Sequence, residues 1–280
     1  MYKIVEKEEL RPTLTRIRVE APLVARRAMP GQFIIFRVDR NGERVPLTIN
    51  GYDREKGTVD IIFQAAGATT MKLNDLEAGD YLEDFVGPLG NPTPIDGLKK
   101  VAVVGGGVGC AIAYPVAKEL YENGCEIHAV TGFKNKDLVI LEKEFDEAST
   151  KHIVCTDDGS YGEKGLVTEI LKKLIDDGNE YDEVITIGPM PMMKFVCRTT
   201  EPYGIKTIAS LSPLMVDGTG MCGCCRVNVG GEMKFACVDG PDFDGSLVDW
   251  DLAISRSKIY SGFEKHKREE SCNLMNAEVR

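Results

Sequence analysis

Residues Asp217 to Cys237 carry four of the nine cysteines of a 280-residue chain, a density that points to chemistry rather than packing. Counting a carboxylate as the first donor, the series Asp217, Cys222, Cys225 and Cys237 has the C-x4-C-x2-C…C spacing of a plant-type [2Fe–2S] site. A loop wrapped around two iron atoms must present several donors from neighbouring positions. Gly218, Gly220 and Gly223 supply the backbone freedom for that, since glycine enters positive φ without strain. Three other readings stand beside this one. Zinc would want four soft or imidazole donors, and no histidine lies near the thiols. A disulfide fits poorly with a cytoplasmic chain. Buried, inert thiols are the plainest alternative. Cys224 falls one residue out of phase and is left outside the ligand set.

A second group of residues suits nucleotides. The run Gly105, Gly106, Gly107, Val108, Gly109 follows the apolar strand Val101 to Val104 and opens a helix. Backbone amides and the helix dipole can hold a pyrophosphate at such a turn. It is not a clean G-x-G-x-x-G, and tight strand-to-helix turns use glycine for steric reasons as well. Gly188, Pro189, Met190, Pro191, Met192 and Met193 follow a later strand at the same carboxyl edge, where open α/β sheets bind ligands; a methionine-packed turn would read alike. Asp157 and Asp158 end another strand on that edge. They could accept hydrogen bonds from ribose hydroxyls and repel a 2′-phosphate, or they could form a solvated Asp-Gly turn. In the N-terminal part, Arg44, Val45, Pro46, Leu47, Thr48 and Ile49, with Gly67, Thr69 and Thr70, offer a cation, hydroxyls and a flexible polar loop suited to a second phosphate-bearing cofactor.

The elements that must position these groups change texture near residue 100. Before it, short alternating runs at Thr13 to Val19, Gln32 to Val38, Arg44 to Ile49, Thr58 to Gln64 and Tyr81 to Val86, separated by turn residues, predict an antiparallel barrel. After it, strands at Val101 to Val104, Glu126 to Thr131, His152 to Thr156, Glu183 to Ile187 and Ile205 to Leu211 alternate with helices ending near Asn123, spanning Asp137 to Glu147, and covering Leu166 to Asp177. That order predicts a parallel sheet with helices on both faces. Leu166, Ile170, Leu171 and Leu174 are expected on one buried helix face. The last strand feeds directly into the cysteine loop, and a mixed charged tail follows Gly245.

The formal charge of −10 disfavours nucleic acid and anionic membrane surfaces as partners. No run of about 18 apolar residues suggests a membrane span. Acidic residues interrupt the N-terminus before a leader's apolar core could develop, so a cytoplasmic protein is expected.

Barrel, glycine turn, Gly-Pro-x-x-Met-Met and cysteine loop, in that order, resemble the ferredoxin-NADP reductase superfamily. The resemblance covers roughly Pro30 to Gly245 and includes Pro30-Gly31-Gln32-Phe33, Gly87-Pro88-Leu89-Gly90-Asn91, Ser210-Leu211 leading to Met215, and Asp239-Gly240-Pro241. Within that superfamily the chain is similar to iron–sulfur flavoprotein subunits: the electron-transfer subunit of dihydroorotate dehydrogenase and the small (NfnA-type) subunit of NADH-dependent ferredoxin:NADP oxidoreductase. The former has cysteine at the first ligand position and the latter aspartate, so Asp217 favours the Nfn type.

The resemblance implies an FAD-binding barrel over 1–97, an NAD(P)-binding α/β domain over 98–211, a [2Fe–2S] module over 212–250 and a tail over 251–280. It adds Ile62, Phe63 and Gln64 to the flavin-contacting residues. It further implies hydride transfer from nicotinamide C4 to flavin N5, single-electron release to the cluster, and no protein acid or base. The implied partner is a larger FAD and [4Fe–4S] subunit in a heterodimer that reaches ferredoxin and NADPH by electron bifurcation. One motif departs. Aligning Thr48 with the hydroxyl of the flavin motif Arg-x-Tyr-Ser/Thr puts Leu47 at the tyrosine and Val45 at the arginine, with Arg44 one residue off.

Overall fold

The computed structural model describes the backbone of residues 1–278 and the side chains of residues 1–270, so Cys272 lies outside the described side chains. The first sheet comprises β1 (Tyr2–Arg11), β2 (Leu14–Glu20), β3 (Phe33–Arg37), β4 (Val45–Asp53), β5 (Thr58–Gln64), β6 (Tyr81–Leu82) and β7 (Asp84–Leu89), with short helices α1 (Pro22–Ala25) and α2 (Ala68–Asp75) between them. Its order is β6-β1-β2-β5-β4-β3-β7, antiparallel throughout. The two edge strands belong to one extended run bent at Glu83, whose amide donates to Arg37 O at 3.0 Å. One run pairing at both ends rolls the sheet into a near-barrel and leaves few free edge groups. Inward residues such as Ile17, Phe36, Ile49, Ile61, Phe63 and Phe85 fill it, all at most 1 % exposed.

The second sheet is built from β8 (Lys100–Gly106), β9 (Glu126–Phe133), β10 (Lys151–Thr156), β11 (Glu163–Lys164), β12 (Glu183–Ile187) and β13 (Thr207–Ser210), alternating with α3 (Gly109–Glu122), α4 (Glu142–Glu147), α5 (Val167–Asp176) and α6 (Met190–Thr200). Val101 to Val104 of β8 have no exposure, as a strand covered on both faces requires. A hairpin, β14 (Arg226–Val229) and β15 (Glu232–Phe235), follows the cysteine loop. Then β16 (Asp242–Asp244) returns to the second sheet antiparallel to β13, giving the order β11-β10-β9-β8-β12-β13-β16. The cysteine module is therefore annealed to the sheet rather than tethered to it. Helices α7 (Trp250–Ser257) and α8 (Ser261–Glu278) complete the described chain. No helix among the described residues is long and apolar enough to cross a membrane.

Some local expectations change. The helix expected over Asp137 to Glu147 is a 3-10 turn at Lys136–Leu138 and the short α4, because Val139, Ile140 and Leu141 turn into the core and Leu141 takes φ 55. On α5, Val167 joins Ile170, Leu171 and Leu174 in the buried face, whereas Leu166 precedes the helix and is 53 % exposed. The polar loop expected at Gly67 to Thr70 opens α2 instead, and the charged tail is helical.

Candidate functional site

Barrel, parallel sheet and cysteine module enclose one large cleft of about 1170 Å³. Ordinary small-ligand pockets run to about 300–1,000 Å³, so this one has room for more than a single compact ligand. Its barrel wall is Val45, Pro46, Leu47 and Thr48 of β4, with Gln64 and Phe33. Opposite lie Gly106, Gly107, Val108 and Gly109, then Asp157, Gly188 and Pro189. Ser210 to Met215, the segment between β13 and the cysteines, forms the floor shared with the third module.

The nucleotide wall is held by backbone contact. A Cβ on Gly109 would lie 2.5 Å from Ile187 O and 2.7 Å from Gly188 Cα, so the start of α3 rests directly on the end of β12. Gly107 takes φ 55 and donates to Gly132 O at 2.8 Å, tying the turn to β9. The 14-residue α3 thus opens at the cleft, where its first amides and its dipole favour an anion. Gly105 lies beneath the turn, packed on Cys110, and does not line the cleft.

The two aspartates separate. Asp157 lines the cleft, while Asp158 accepts from Ser160 N at 2.9 Å, and these Ser160 hydrogen bonds hold its carboxyl below the ordinary carboxylate range. Met193 is fully buried beside Cys197 and Met215, and Met190 borders a smaller cavity against Cys222 and Cys224. On the barrel side, Ile49 and Phe63 point into the barrel core, and Ile62 packs in the core shared with α3. Arg44 is not among the residues that line the cleft; its Nε donates to Val216 O at 2.8 Å, next to Asp217. Thr69 Oγ1 donates to Glu43 at 2.5 Å, and Thr70 Oγ1 accepts from Ala66 N and Gly67 N at 3.1 and 3.0 Å, so these groups already bond one another.

In the cysteine loop, Gly218, Gly220 and Gly223 all have positive φ, at 80°, 86° and 64°. Gly218 also packs tightly on the barrel, where a Cβ would meet Ile35 and Leu89 at 2.7 Å. The donors fall into two pairs. Cys225 and Cys237, both buried and free, have their sulfurs 3.2 Å apart. Asp217 Oδ2 accepts from Cys222 N at 2.9 Å, and Oδ1 accepts from Thr219 N at 2.8 Å and from the Thr219 hydroxyl. These bonds, the Thr219 hydroxyl's first, hold the Asp217 carboxyl far below the usual range, already in the ionised form a ligand needs. Burial, then the Cys225 thiol, pushes Cys237 up to about 12; a bound cation reverses that, since thiolate is the ligating form. Among the described residues no three His, Cys, Asp or Glu side chains converge on one point as a single metal ion would need. Two pairs of donors instead suit a two-iron centre, and the donor set fits that group.

Several lining residues lie outside those expected from the sequence. Phe133 could have been found from its place at the carboxyl end of β9. Arg256, Tyr260 and Glu264 come from the tail, whose mixed charges pointed to nothing.

Comparison with known proteins agrees with this geometry. Residues 212–249 match the iron–sulfur cluster binding domain of dihydroorotate dehydrogenase B, and residues 103–198 match the oxidoreductase NAD-binding domain. The chain is 51 % identical over 268 residues to an uncharacterized protein in the adh 3′ region of Clostridium beijerinckii, covering 93 % of this chain and 90 % of that one. It is 44 % identical to a dihydroorotate dehydrogenase B (NAD(+)) electron transfer subunit homolog of Thermotoga maritima, covering 95 % and 93 %. A solved NADH-dependent reduced ferredoxin-NADP oxidoreductase, described for flavin-based electron bifurcation, superposes with a TM-score of 0.92 at 40 % identity over 96 % of this chain and 97 % of that one. The chain therefore belongs to the ferredoxin-NADP reductase superfamily, in its group of NAD-, FAD- and iron–sulfur-binding oxidoreductase subunits typified by the NfnA-type small subunit and the dihydroorotate dehydrogenase B electron-transfer subunit.

Proposed function

We propose that the chain is the electron-transfer subunit of an electron-bifurcating NADH-dependent ferredoxin:NADP oxidoreductase, working as a heterodimer with a larger FAD and [4Fe–4S] subunit. The observation that carries this reading is the single cleft. It joins the β4 wall, the glycine turn and the segment leading into the cysteine loop, so two cofactors bound there would lie within reach of each other and of the cluster loop. When bound, FAD accepts two electrons as hydride from NADH and releases them one at a time to the [2Fe–2S] cluster.

The chain's own residues bind, orient and exclude water. Val45 to Thr48 offer backbone groups along the flavin, with Leu47 giving it an aliphatic cover where the family motif has tyrosine. Gln64, at the end of β5, faces the same space. Gly106 to Gly109 and the α3 N-terminus hold the dinucleotide's pyrophosphate, and Gly188 with Pro189 close over the nicotinamide end. Asp157 takes the adenosine ribose hydroxyls and repels a 2′-phosphate, which selects NADH. Asp217 with Cys222 and Cys225 with Cys237 hold the iron pair, and Gly218 seats that loop on the barrel wall. Gly67, Thr69, Thr70 and Arg44 serve the flavin phosphates only if their present bonds to Glu43, to backbone amides and to Val216 open.

The matching domain name and the Thermotoga relative support a second reading, an electron-transfer subunit for dihydroorotate dehydrogenase. Purification of the native complex without oxygen separates the two. A co-purifying FAD and [4Fe–4S] protein, with ferredoxin and NADP-linked activity, is expected; an FMN-containing dihydroorotate enzyme in its place would overturn the bifurcating assignment.

A further inference from the structure

The smaller cavity beside the cysteine loop, about 190 Å³, shares a wall with the cofactor cleft. Pro213, Leu214, Arg256, Ser257 and Tyr260 line both. Arg256 is the one charged residue among them, so a single cation stands on the partition between the cleft and the loop of Cys222, Cys224 and Cys225. Its Nη2 donates to Cys224 O at 3.4 Å. That carbonyl belongs to the peptide joining Cys224 to Cys225, which puts the guanidinium a few ångströms from the backbone of a proposed iron ligand.

Two other arginines reach this loop, and both differ from Arg256. Arg44 Nε donates to Val216 O, but its Nη1 also stands 3.8 Å from Asp84 Oδ2, which offsets part of its charge. Arg226 borders the same small cavity but is exposed, where water and salt screen it. Arg256 is half-buried, and among the described residues no carboxylate pairs with it. Its helix is firmly placed. Trp250 Nε1 donates to Gly245 O at 2.9 Å, Asp249 N donates to Asn228 O of β14 at 2.9 Å, and Lys194 of α6 bonds Asp251 at 2.5 Å. A cation in the last turn of a helix ordinarily serves that helix, and Arg256 holds this position in α7. Its hydrogen bond, however, goes to a carbonyl of the cysteine loop and not to one of α7.

We propose that Arg256 tunes the cluster: its charge favours the reduced form and so raises the potential at which the iron pair accepts an electron. This rests on the iron–sulfur reading above. One-electron reduction adds a negative charge to the centre without making or breaking a bond in the protein. A fixed, half-buried cation beside it stabilises that charge more than the same cation in open water would. Arg256 ligates nothing and acts through its field. The charged tail thereby gains a role in electron transfer.

The test is an EPR-monitored titration of anaerobic holoprotein with dithionite and redox mediators, which needs neither NADH nor a partner. Arg256→Gln keeps a donor for Cys224 O and removes the charge, whereas Arg256→Lys keeps the charge. Lys258→Gln removes an exposed charge two residues away that lines neither cavity. In Arg256→Gln the reduced-to-oxidised ratio at a given potential should fall about tenfold, a drop of about 59 mV for one electron. Arg256→Lys should keep most of the wild-type potential, and Lys258→Gln all of it. A purely helical role would move the urea midpoint and leave the potential unchanged. The proposal is overturned by a wild-type potential in Arg256→Gln, by an equal drop in Arg256→Lys or Lys258→Gln, or by an Arg256→Gln protein that no longer takes up the cluster, which would make Arg256 a structural clasp. Wild type that shows no [2Fe–2S] signal at all would overturn the iron–sulfur reading, and the proposal with it.

Discussion

Gly109→Ala puts the packing of the nucleotide wall to the test. Gly109 is the first residue of α3, where alanine would ordinarily help, by up to about 1 kcal/mol of helix propensity and unfolded-state entropy. The structure reverses the sign. The new Cβ would sit 2.5 Å from Ile187 O, 2.7 Å from Gly188 Cα and 2.9 Å from Gly188 N. All three are backbone atoms, so no side-chain rotation relieves the overlap. Carbon contacts settle at about 3.5–4.0 Å, and α3 must therefore part from the end of β12 by about 1 Å. Overpacking of this kind costs about 1–3 kcal/mol, which leaves a net loss centred near about 1 kcal/mol, and up to about 2, after the full helix gain. The same movement separates the two loops proposed to hold NADH, and a misfit of about 1.4 kcal/mol is a tenfold weaker Kd. Urea unfolding should give a lower midpoint at unchanged slope, and an NADH titration should give weaker binding. Gly107→Ala is the control: it meets no atom within 4 Å and carries only the strain of φ 55. A Gly109→Ala protein as stable as wild type, or more so, would refute the reasoning.

Three further outcomes are expected. Asp157→Ser should narrow the preference for NADH over NADPH, whereas Asp158→Ser should leave it nearly unchanged because Asp158 is bound to Ser160; equal effects of the two on kcat/KM would contradict the assignment. Asp217→Cys should lower the cluster's midpoint potential in an EPR titration, since thiolate gives iron more electron density than carboxylate, and an unchanged potential and spectrum would remove Asp217 from the ligand set. His128 is held below its ordinary value by burial first and by Lys100 second. Its folded form binds a proton less readily than the unfolded chain, so its contribution to stability is present above about pH 6.5 and is lost as pH falls below that. His128→Gln should flatten urea stability between about pH 6.5 and 5 relative to wild type.

Most of the architecture was legible because its determinants are local. Alternation at Thr13 to Val19, where Thr15, Ile17 and Val19 are buried and Arg16 and Arg18 are not, and the unbroken run Val101 to Val104 state their own burial, one face or both. The turn glycines of the cysteine loop were legible for the same reason, since positive φ is a single-residue property. What escaped depends on distant partners. Nothing near Glu83 says that one bent run supplies both edges of the barrel, and nothing in Asp242 to Asp244 says that this strand pairs with β13. Arg44 suited phosphate from its neighbours in the chain, and nothing there says that its guanidinium also reaches Val216 O, far along the sequence. The tail was unreadable because its few apolar residues, such as Tyr260, meet a cleft built by other modules.

The central claim is that electrons enter this chain in pairs and leave one at a time through an iron pair held by Asp217, Cys222, Cys225 and Cys237. Anaerobic protein mixed with NADH and freeze-quenched for EPR tests it most directly. The account predicts prompt flavin bleaching, followed by the signal of a reduced [2Fe–2S] cluster that disappears in Cys225→Ser. Flavin that bleaches while the cluster stays oxidised, or protein that holds neither flavin nor acid-labile sulfide after reconstitution, would contradict it.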